Sequence, residues 1–349
     1  MKITYLLESA DPKWGGVRTI LDDANELSKR GHQVSIISKT RIPKDYPVYF
    51  SFKVVGDFSP ISIPESDIVV GTFWTTVPFA YISQKGIPVH FCQGYEADYT
   101  DVEEIKKRID EVYSICRMAT ITVSPHLDEL LSRKFGIKSI VVPCGIEDIF
   151  FQEVNNGKPK DIPNIGLIGP YQITGKGIKL GIVAARIAHL AGFKFKFIRV
   201  SGSGFTREEI QLFPHAEFYT SIPYHKMPEV YRKLDCLLCT SQKEGEGFFL
   251  PAIEAMAGGV PCIMTDIPCH RSYGDLDYGI FVPRNSPEDM AKAMVELTMK
   301  KQLWRILSEN SRKTALKFKM EEHFRLLQAA FLEISRGSNI KFCKYNSFT

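Results

Sequence analysis

Apolar positions in this chain come in short unbroken runs that alternate with longer stretches of helical spacing. In the first half, Lys2–Glu8, Gln33–Ser38, Ile68–Gly71, Val89–Cys92, Ile121–Val123 and Ile140–Pro143 read as strands. Val17–Arg30 reads as an amphipathic helix stopped by Gly31. Glu103–Ala119 and His126–Phe135 are further helices, the last with Pro125 in its first turn. Short apolar strands alternating with helices predict a parallel sheet covered by those helices.

The segment Asn155-Asn-Gly-Lys-Pro-Lys-Asp-Ile-Pro163 has no periodicity and is rich in turn formers, so a linker is expected there. The pattern then restarts. Strands are expected at Asn164–Ile168, Lys194–Val200, Leu234–Cys239, Pro261–Met264 and Gly279–Val282. Helices are expected at Ile178–Ala191, Lys226–Lys233, from Pro251, at Pro287–Met299 behind a Ser286 cap, and at Lys301–Phe318. A final helix, Glu321–Ile334, has the spacing to pack across both lobes. The expected organisation is one lobe over 1–155, a second over 156–320, and a terminal helix and tail over 321–349 returning to the first. Two open α/β lobes place a ligand in a crevice at the carboxyl ends of their strands.

A length of 349 residues accommodates two domains, and 44% hydrophobic with 24% charged residues excludes disorder as the main state. No apolar run approaches the roughly 20 residues of a membrane span. The start, Met1-Lys-Ile-Thr-Tyr-Leu-Leu-Glu-Ser, turns acidic too early for a secretory signal. A cytoplasmic protein is expected. The net charge of +4 is too small to argue for nucleic acid. Residues 1–149 carry 17 Lys/Arg against 20 Asp/Glu, leaving 27 against 20 beyond them, so an anionic ligand suits the second half. Lys106-Lys107-Arg108 leaves open a weak peripheral contact with anionic lipid, but the acidic residues around it favour a solvated helix face. Cys236-Leu-Leu-Cys239 has zinc-knuckle spacing, yet strand alternation would turn the two thiols to opposite faces. No metal site is expected, and the eight cysteines should be reduced.

The stretch Ser241-Gln-Lys-Glu-Gly-Glu-Gly-Phe-Phe-Leu-Pro-Ala-Ile-Glu-Ala-Met-Ala-Gly-Gly-Val-Pro261 carries the most chemistry. Glu246 lies in a glycine-flanked loop, and Glu254 about one turn inside a short helix bounded by Pro251 and Gly258-Gly259. Helix-start N–H groups lack intrahelical partners and suit a phosphate; the two carboxylates suit hydroxyls of a sugar and a ribose. A nucleotide sugar offers all of these. Trp14-Gly-Gly-Val17 joins the first strand to the first helix, where Gly15 and Gly16 let backbone approach a ligand. It lacks the three spaced glycines of a dinucleotide site, and a tight turn that merely connects two elements is an equal reading. Gly169-Pro-Tyr-Gln-Ile-Thr-Gly-Lys-Gly177 points Lys176 at phosphates without being a P-loop. Arg199-Val-Ser-Gly-Ser-Gly204 lines a nucleotide or simply leaves a strand, and Phe218-Tyr-Thr-Ser-Ile-Pro223 offers backbone to a base near Ile222.

In order, four groups of residues match a known pattern: Gly15-Gly16 with Arg30-Gly-His-Gln-Val34; Val142-Pro-Cys-Gly-Ile-Glu147; Gly169…Lys176-Gly177; and Glu246-Gly-Phe-Phe-Leu-Pro-Ala-Ile-Glu-Ala-Met-Ala257. From residue 2 to about residue 330 the chain resembles the retaining glycosyltransferases of family 4. Thr72-Phe-Trp-Thr-Thr76 and Phe91-Cys-Gln-Gly-Tyr-Glu96 are similar to first-lobe loops of its rhamnosyltransferase-like branch. The resemblance implies the GT-B fold, two Rossmann-like lobes with parallel sheets facing a central cleft. It implies transfer from a nucleoside-diphosphate sugar to a hydroxyl of a glycan, lipid-linked or small-molecule acceptor, with retention, no cofactor and no required metal. By the same resemblance Glu246 and Lys176 are catalytic. Gly15, Gly16, Gly169, Ile222, Gly247, Phe248, Phe249, Leu250 and Glu254 join them around the donor, and Trp14, Trp74, Gln93, Tyr95 and Glu96 lie on the acceptor side. Two positions depart from the family. Pro170 replaces a pyrophosphate-binding Arg, for which Arg199, Arg271 or Lys243 are candidate substitutes; Gln93 falls near the usual loop His, with His90 inside the strand.

Double displacement needs a carboxylate opposite the leaving group, and both glutamates are assigned to hydroxyls. Same-face attack is therefore the expected course, with Glu96 and Asp98 as the carboxylates that could argue otherwise. Competing readings are an epimerase or phosphorylase on the same fold and a non-catalytic nucleotide-sugar-binding partner. A two-lobed solute-binding protein conflicts with the missing export signal.

Overall fold

Runs such as Ile68–Gly71 and Cys236–Cys239 are buried along their whole length, because each has a strand on either side and helices over both faces. The computed structural model describes residues 1–115, 118–152 and 159–337. It divides into two units, Met1–Gly145 together with the segment from Glu321, and Ile146–Met320. Residues 155–158 of the expected linker lie outside the described residues.

The first unit contains β1 (Lys2–Leu7), β2 (Gln33–Ser38), β3 (Ser51–Val54), β4 (Ile68–Gly71), β5 (Ile87–Cys92), β6 (Ala119–Thr122) and β7 (Ile140–Val141). They form one parallel sheet in the order β3-β2-β1-β4-β5-β6-β7. Its helices are α1 (Gly15–Lys29), α2 (Val77–Ile82), α3 (Glu103–Ile115) and α4 (Pro125–Phe135). The second unit contains β8 (Asn164–Ile168), β9 (Lys196–Ser201), β10 (Glu217–Thr220), β11 (Cys236–Cys239), β12 (Cys262–Thr265) and β13 (Gly279–Val282). These are also parallel, in the order β10-β9-β8-β11-β12-β13. Its helices are α5 (Ile178–Leu190), α6 (Arg207–Leu212), α7 (Met227–Lys233), α8 (Leu250–Ala257), α9 (Pro268–Arg271), α10 (Pro287–Met299) and α11 (Lys301–Ala315). A last helix, α12 (Met320–Ser335), lies in the first unit from Glu321 onward.

Both sheets reverse direction at their first strand. β1 separates β2 from β4, and β8 separates β9 from β11. Loops leaving the carboxyl ends of strands at such a reversal diverge to opposite faces and open a crevice. In the second unit Ile165, Leu167, Leu238 and Ile263 pack with Ile182, Met294 and Trp304. The fully buried Trp304 donates its indole N–H to the Asp235 carbonyl at 2.6 Å, satisfying its one polar atom. The six described cysteines are free thiols, all buried. No helix of the described residues is long and apolar enough to cross a membrane.

Some expected elements change. The helix from Glu103 is seen over Glu103–Ile115, residues 116–117 lie outside the described residues, and Ala119 opens β6 rather than ending a helix. The helix from Lys301 ends at Ala315, followed by a 3-10 turn over Leu316–Phe318. β3 and β10 are edge strands exposed at most positions, so they carry no buried run to read.

The last helix is held to α1 by charge. His323 lies 2.7 Å from Asp23 through Nε2 and 2.7 Å from the Pro143 carbonyl through Nδ1, and the side chains of His323 and Asp23 are almost fully buried. Two acceptors require both ring nitrogens to carry hydrogen, so the imidazole is cationic. Burial disfavours that charge, but Asp23 and the carbonyl outweigh it and raise the group above its ordinary value. A raised histidine contributes fully below its unfolded value of about 6.5, and the contribution fades as pH rises through the folded value. His323→Gln should therefore lose roughly 3–5 kcal/mol at about pH 6. The gap from wild type should narrow on going to about pH 9 in urea titrations. A gap independent of pH would contradict a charged pair.

Candidate functional site

At the reversal of the second sheet, one loop leaves β8 and another leaves β11, its paired neighbour. Gly169 follows β8 at a φ of 142°, and the chain turns through a 3-10 segment, Thr174–Lys176, to Gly177. A Cβ on Gly177 would stand 2.0 Å from the Thr240 carbonyl, so only glycine allows the two loops to touch. They are then joined by hydrogen bonds. Thr240 Oγ1 donates to the Lys176 carbonyl at 2.8 Å, and the Gln242 N–H to the Gly175 carbonyl at 2.9 Å.

This seam brings Lys176 to Glu246. Lys176 Nζ lies 2.9 Å from Oε1 and 2.7 Å from Oε2, and Ser241 Oγ donates to Oε2 at 2.6 Å. Glu246 is 5% exposed, and the Lys176 ammonium sits 5.6 Å from the Phe249 ring centroid. Burial by itself raises the Glu246 carboxyl, but Lys176 and Ser241 outweigh it and hold it below its ordinary value. The result is an ionised carboxylate with acceptor capacity beside an ammonium, able to take sugar hydroxyls and phosphate oxygen respectively.

Glu254 is fixed differently. Its Oε1 accepts the Tyr224 hydroxyl at 3.1 Å and its Oε2 the Tyr231 hydroxyl at 2.6 Å. Phe150 packs against both rings, with centroids 5.2 and 5.9 Å away. The N–H groups at the start of α8 are less open than the sequence implies. Phe249 donates to the Tyr273 hydroxyl at 3.3 Å, and Leu250 and Ala252 donate to local carbonyls. Phe248 turns its ring into a cluster with Tyr273 and Phe318, and the Gly247 carbonyl faces the Cys269 thiol at 3.7 Å. Ile222 follows Ser221, whose φ of 55° is unusual for a residue with a side chain.

Arg199 does not stand in for a cation at Pro170. It is fully buried, paired through Nε to Glu209 at 2.6 Å, with Nη1 and Nη2 on the Leu167, Val200 and Gly169 carbonyls. It braces the loop from inside. Arg271 is forked onto Asp266 at 2.8 and 2.9 Å and lies over Phe281. Lys243 lies in the same loop as Glu246, whose N–H donates to the Lys243 carbonyl at 3.3 Å.

In the first unit, Trp14 precedes α1 and is 40% exposed. Gly15 and Gly16 open that helix, and the Gln93 amide donates to the Gly16 carbonyl at 3.0 Å. A Cβ on Gly16 would lie 3.1 Å from Gln93 Oε1, so this glycine makes room for Gln93. The Trp74 N–H donates to Glu96 at 3.2 Å. Tyr95 is not available to an acceptor. It is 3% exposed, bonded to Asp110, and packed on Tyr113 and Phe135. His90 is buried within β5, and burial lowers it to about 4, so it is neutral. Among the described residues no group of three or more His, Cys, Asp or Glu is placed to hold a metal ion. The sequence missed Ser241, Tyr224 and Tyr231 as partners of the two glutamates. Only Ser241, heading the conspicuous stretch, carried a signal.

The chain is similar over 97% of its length to sucrose-phosphate synthase from Thermosynechococcus elongatus, with a TM-score of 0.79, 16% identity and all of that chain covered. It is similar, with a TM-score of 0.76 and 14% identity over 94% of this chain and 99% of the other, to Anabaena HepE in complex with UDP-glucose. The fold is GT-B. Within this GT-B chain, residues 205–314 match the family described as glycosyl transferases group 1, a segment holding Glu246 and Glu254. An uncharacterised glycosyltransferase of Methanocaldococcus jannaschii is 25% identical over 226 residues, 62% of this chain and 59% of that protein. The chain thus spans under two thirds of that relative's length.

Lys176→Met should raise the Glu246 carboxyl, since burial then acts with less opposition. It should also cost the second unit roughly 3–5 kcal/mol, much of it regained in a Lys176→Met/Glu246→Gln double variant. Urea titrations of the two variants and wild type check this. Equal losses in both variants would show that the pair contributes nothing.

Proposed function

We propose that the chain transfers a sugar from a nucleoside-diphosphate sugar to a hydroxyl acceptor, with retention, in the manner of family 4 glycosyltransferases. The observation that carries this reading is the Lys176–Glu246–Ser241 cluster at the reversal of the second sheet. There Lys176 faces the diphosphate and stabilises charge developing on the leaving phosphate. Glu246 accepts hydroxyls of the donor sugar, and Glu254, steadied by Tyr224 and Tyr231, takes the ribose diol. Lys243 is the remaining candidate for a second cation, because Arg199 is enclosed and Arg271 is paired.

With both glutamates engaged by hydroxyls, the acceptor attacks from the leaving-group face, and the departing phosphate oxygen takes its proton. The protein contributes orientation and electrostatic stabilisation, and Lys176 supplies the charge without a metal ion or cofactor. The UDP-glucose complex of the Anabaena neighbour supports a nucleotide-sugar donor. The loops at Thr72–Thr76 and Phe91–Glu96 favour the rhamnosyltransferase-like branch, with a cytoplasmic protein acting on a carbohydrate or lipid-linked acceptor. Trp14, Trp74, Gln93 and Glu96 are the acceptor-side residues of this reading.

Glu246→Ala and Lys176→Ala should each lower transfer at least about tenfold, equivalent to roughly 1.4 kcal/mol of transition-state stabilisation. Wild-type turnover in both folded variants would refute the site. Glu254→Ala should weaken nucleotide binding, measured by calorimetry, more than it slows transfer. Unchanged affinity would count against a ribose contact.

A further inference from the structure

His189 and His215 lie at the edge of the second sheet opposite Lys176. Helix α5 leaves the loop after β8 at the carboxyl edge and returns to the amino edge, where β9 begins. Its last turn holds His189. His215 stands in the turn that enters β10 at Glu217, at the same amino edge. Both residues are exposed, so packing in the core does not explain their meeting. Their rings are nevertheless side by side, with centroids 5.1 Å apart and planes inclined at 33°.

A single buried ring holds the two together. Phe213 is 4% exposed, lies parallel to Phe195 with centroids 6.1 Å apart, and meets Phe197 edge to face at 5.6 Å. His189 and His215 stand nearly perpendicular to Phe213, at 5.5 and 5.8 Å. The backbone of His215 is fixed as well. Pro214 takes the second position of a turn closed by the Ala216 N–H, which donates to the Phe213 carbonyl at 3.2 Å. Two imidazoles resting on one immobile phenyl ring lose less freedom to a shared ligand than two that move independently.

We propose that His189 and His215 together bind one divalent cation of the zinc kind. Imidazole nitrogen suits zinc, copper and nickel, and each ring binds in its neutral form through one lone pair. Two bonds of about 2.0–2.1 Å at a tetrahedral angle put the ring centres roughly 5 Å apart, in agreement with the separation found. The cation lies by the last turn of α5, where the carbonyl end of the helix favours positive charge. Among the described residues no third His, Cys, Asp or Glu completes a metal-binding group with them, so water or a donor from another molecule fills the remaining positions. Bound there, the ion ties the end of α5 to the turn before β10, an edge strand paired on one side and exposed at most positions. It is a clamp on the fold, and it stands apart from the transferase reading.

The test uses the full chain, wild type against His189→Gln and His215→Gln. Calorimetric titration with zinc chloride should give one ion per chain at a micromolar Kd in wild type, weakened at least about tenfold in either variant. Zinc should raise the melting temperature of wild type and leave that of the variants where it was. Copper(II) electron paramagnetic resonance should show two imidazole nitrogens on the metal in wild type and one in each variant. No zinc binding, binding of equal strength in all three proteins, or a single imidazole on the wild-type copper would overturn the proposal and leave the rings as an aromatic pair only. UDP affinity should be the same in all three proteins, and its absence would bear on the transferase reading alone.

Discussion

The ion pair between Lys176 and Glu246 links residues 70 positions apart, and the two loops at the carboxyl edge of the second sheet are arranged around it. A carboxylate as enclosed as Glu246 is tolerated only when its charge is answered, and Lys176 and Ser241 answer it. The neighbouring geometry follows from that need. Gly177 lacks a side chain because the Thr240 carbonyl occupies the space, and Thr240 and Gln242 tie one loop to the other. Arg199 fixes the beginning of the first loop through the Leu167 and Gly169 carbonyls. On the proposed function, an arriving diphosphate competes with Glu246 for Lys176.

The two units apply one design to different ends. In the proposed reading the site residues of each unit follow the carboxyl ends of its strands, after β1, β4 and β5 in the first unit and after β8 and β11 in the second. Each also steadies an acid with tyrosine hydroxyls: Glu96 with Tyr113, Glu254 with Tyr224 and Tyr231. A phenol keeps the carboxylate oriented while leaving lone pairs for a substrate hydroxyl. The proposed role of Glu254 as a receiver of the ribose diol draws on this arrangement.

Strands buried on both faces, such as β4 and β11, were legible because they have no polar side to interrupt the run. β3 and β10 were not, because an edge strand pairs on one side only and keeps polar residues in water. Lys176 and Glu246 could each be picked out from the glycine-rich loop around it. Their contact could not, nor could Tyr224 and Tyr231, since no local spacing encodes a partner brought near by the fold. Tyr95 shows the converse error. It stands in a loop that resembles an acceptor site, but its ring fills the space between Tyr113 and Phe135. Arg199 ends the same way, as a cation on a promising loop whose length lets it turn inward.

A thermal-shift comparison of wild type and Lys176→Met with UDP, GDP, ADP and dTDP sugars tests the central claim most directly. A ligand at 100 times its Kd should stabilise the folded protein by about 2.7 kcal/mol. The account predicts such a shift with at least one nucleotide sugar in wild type and its loss in the variant. No shift with any of them, or one that survives removal of the lysine, would contradict it.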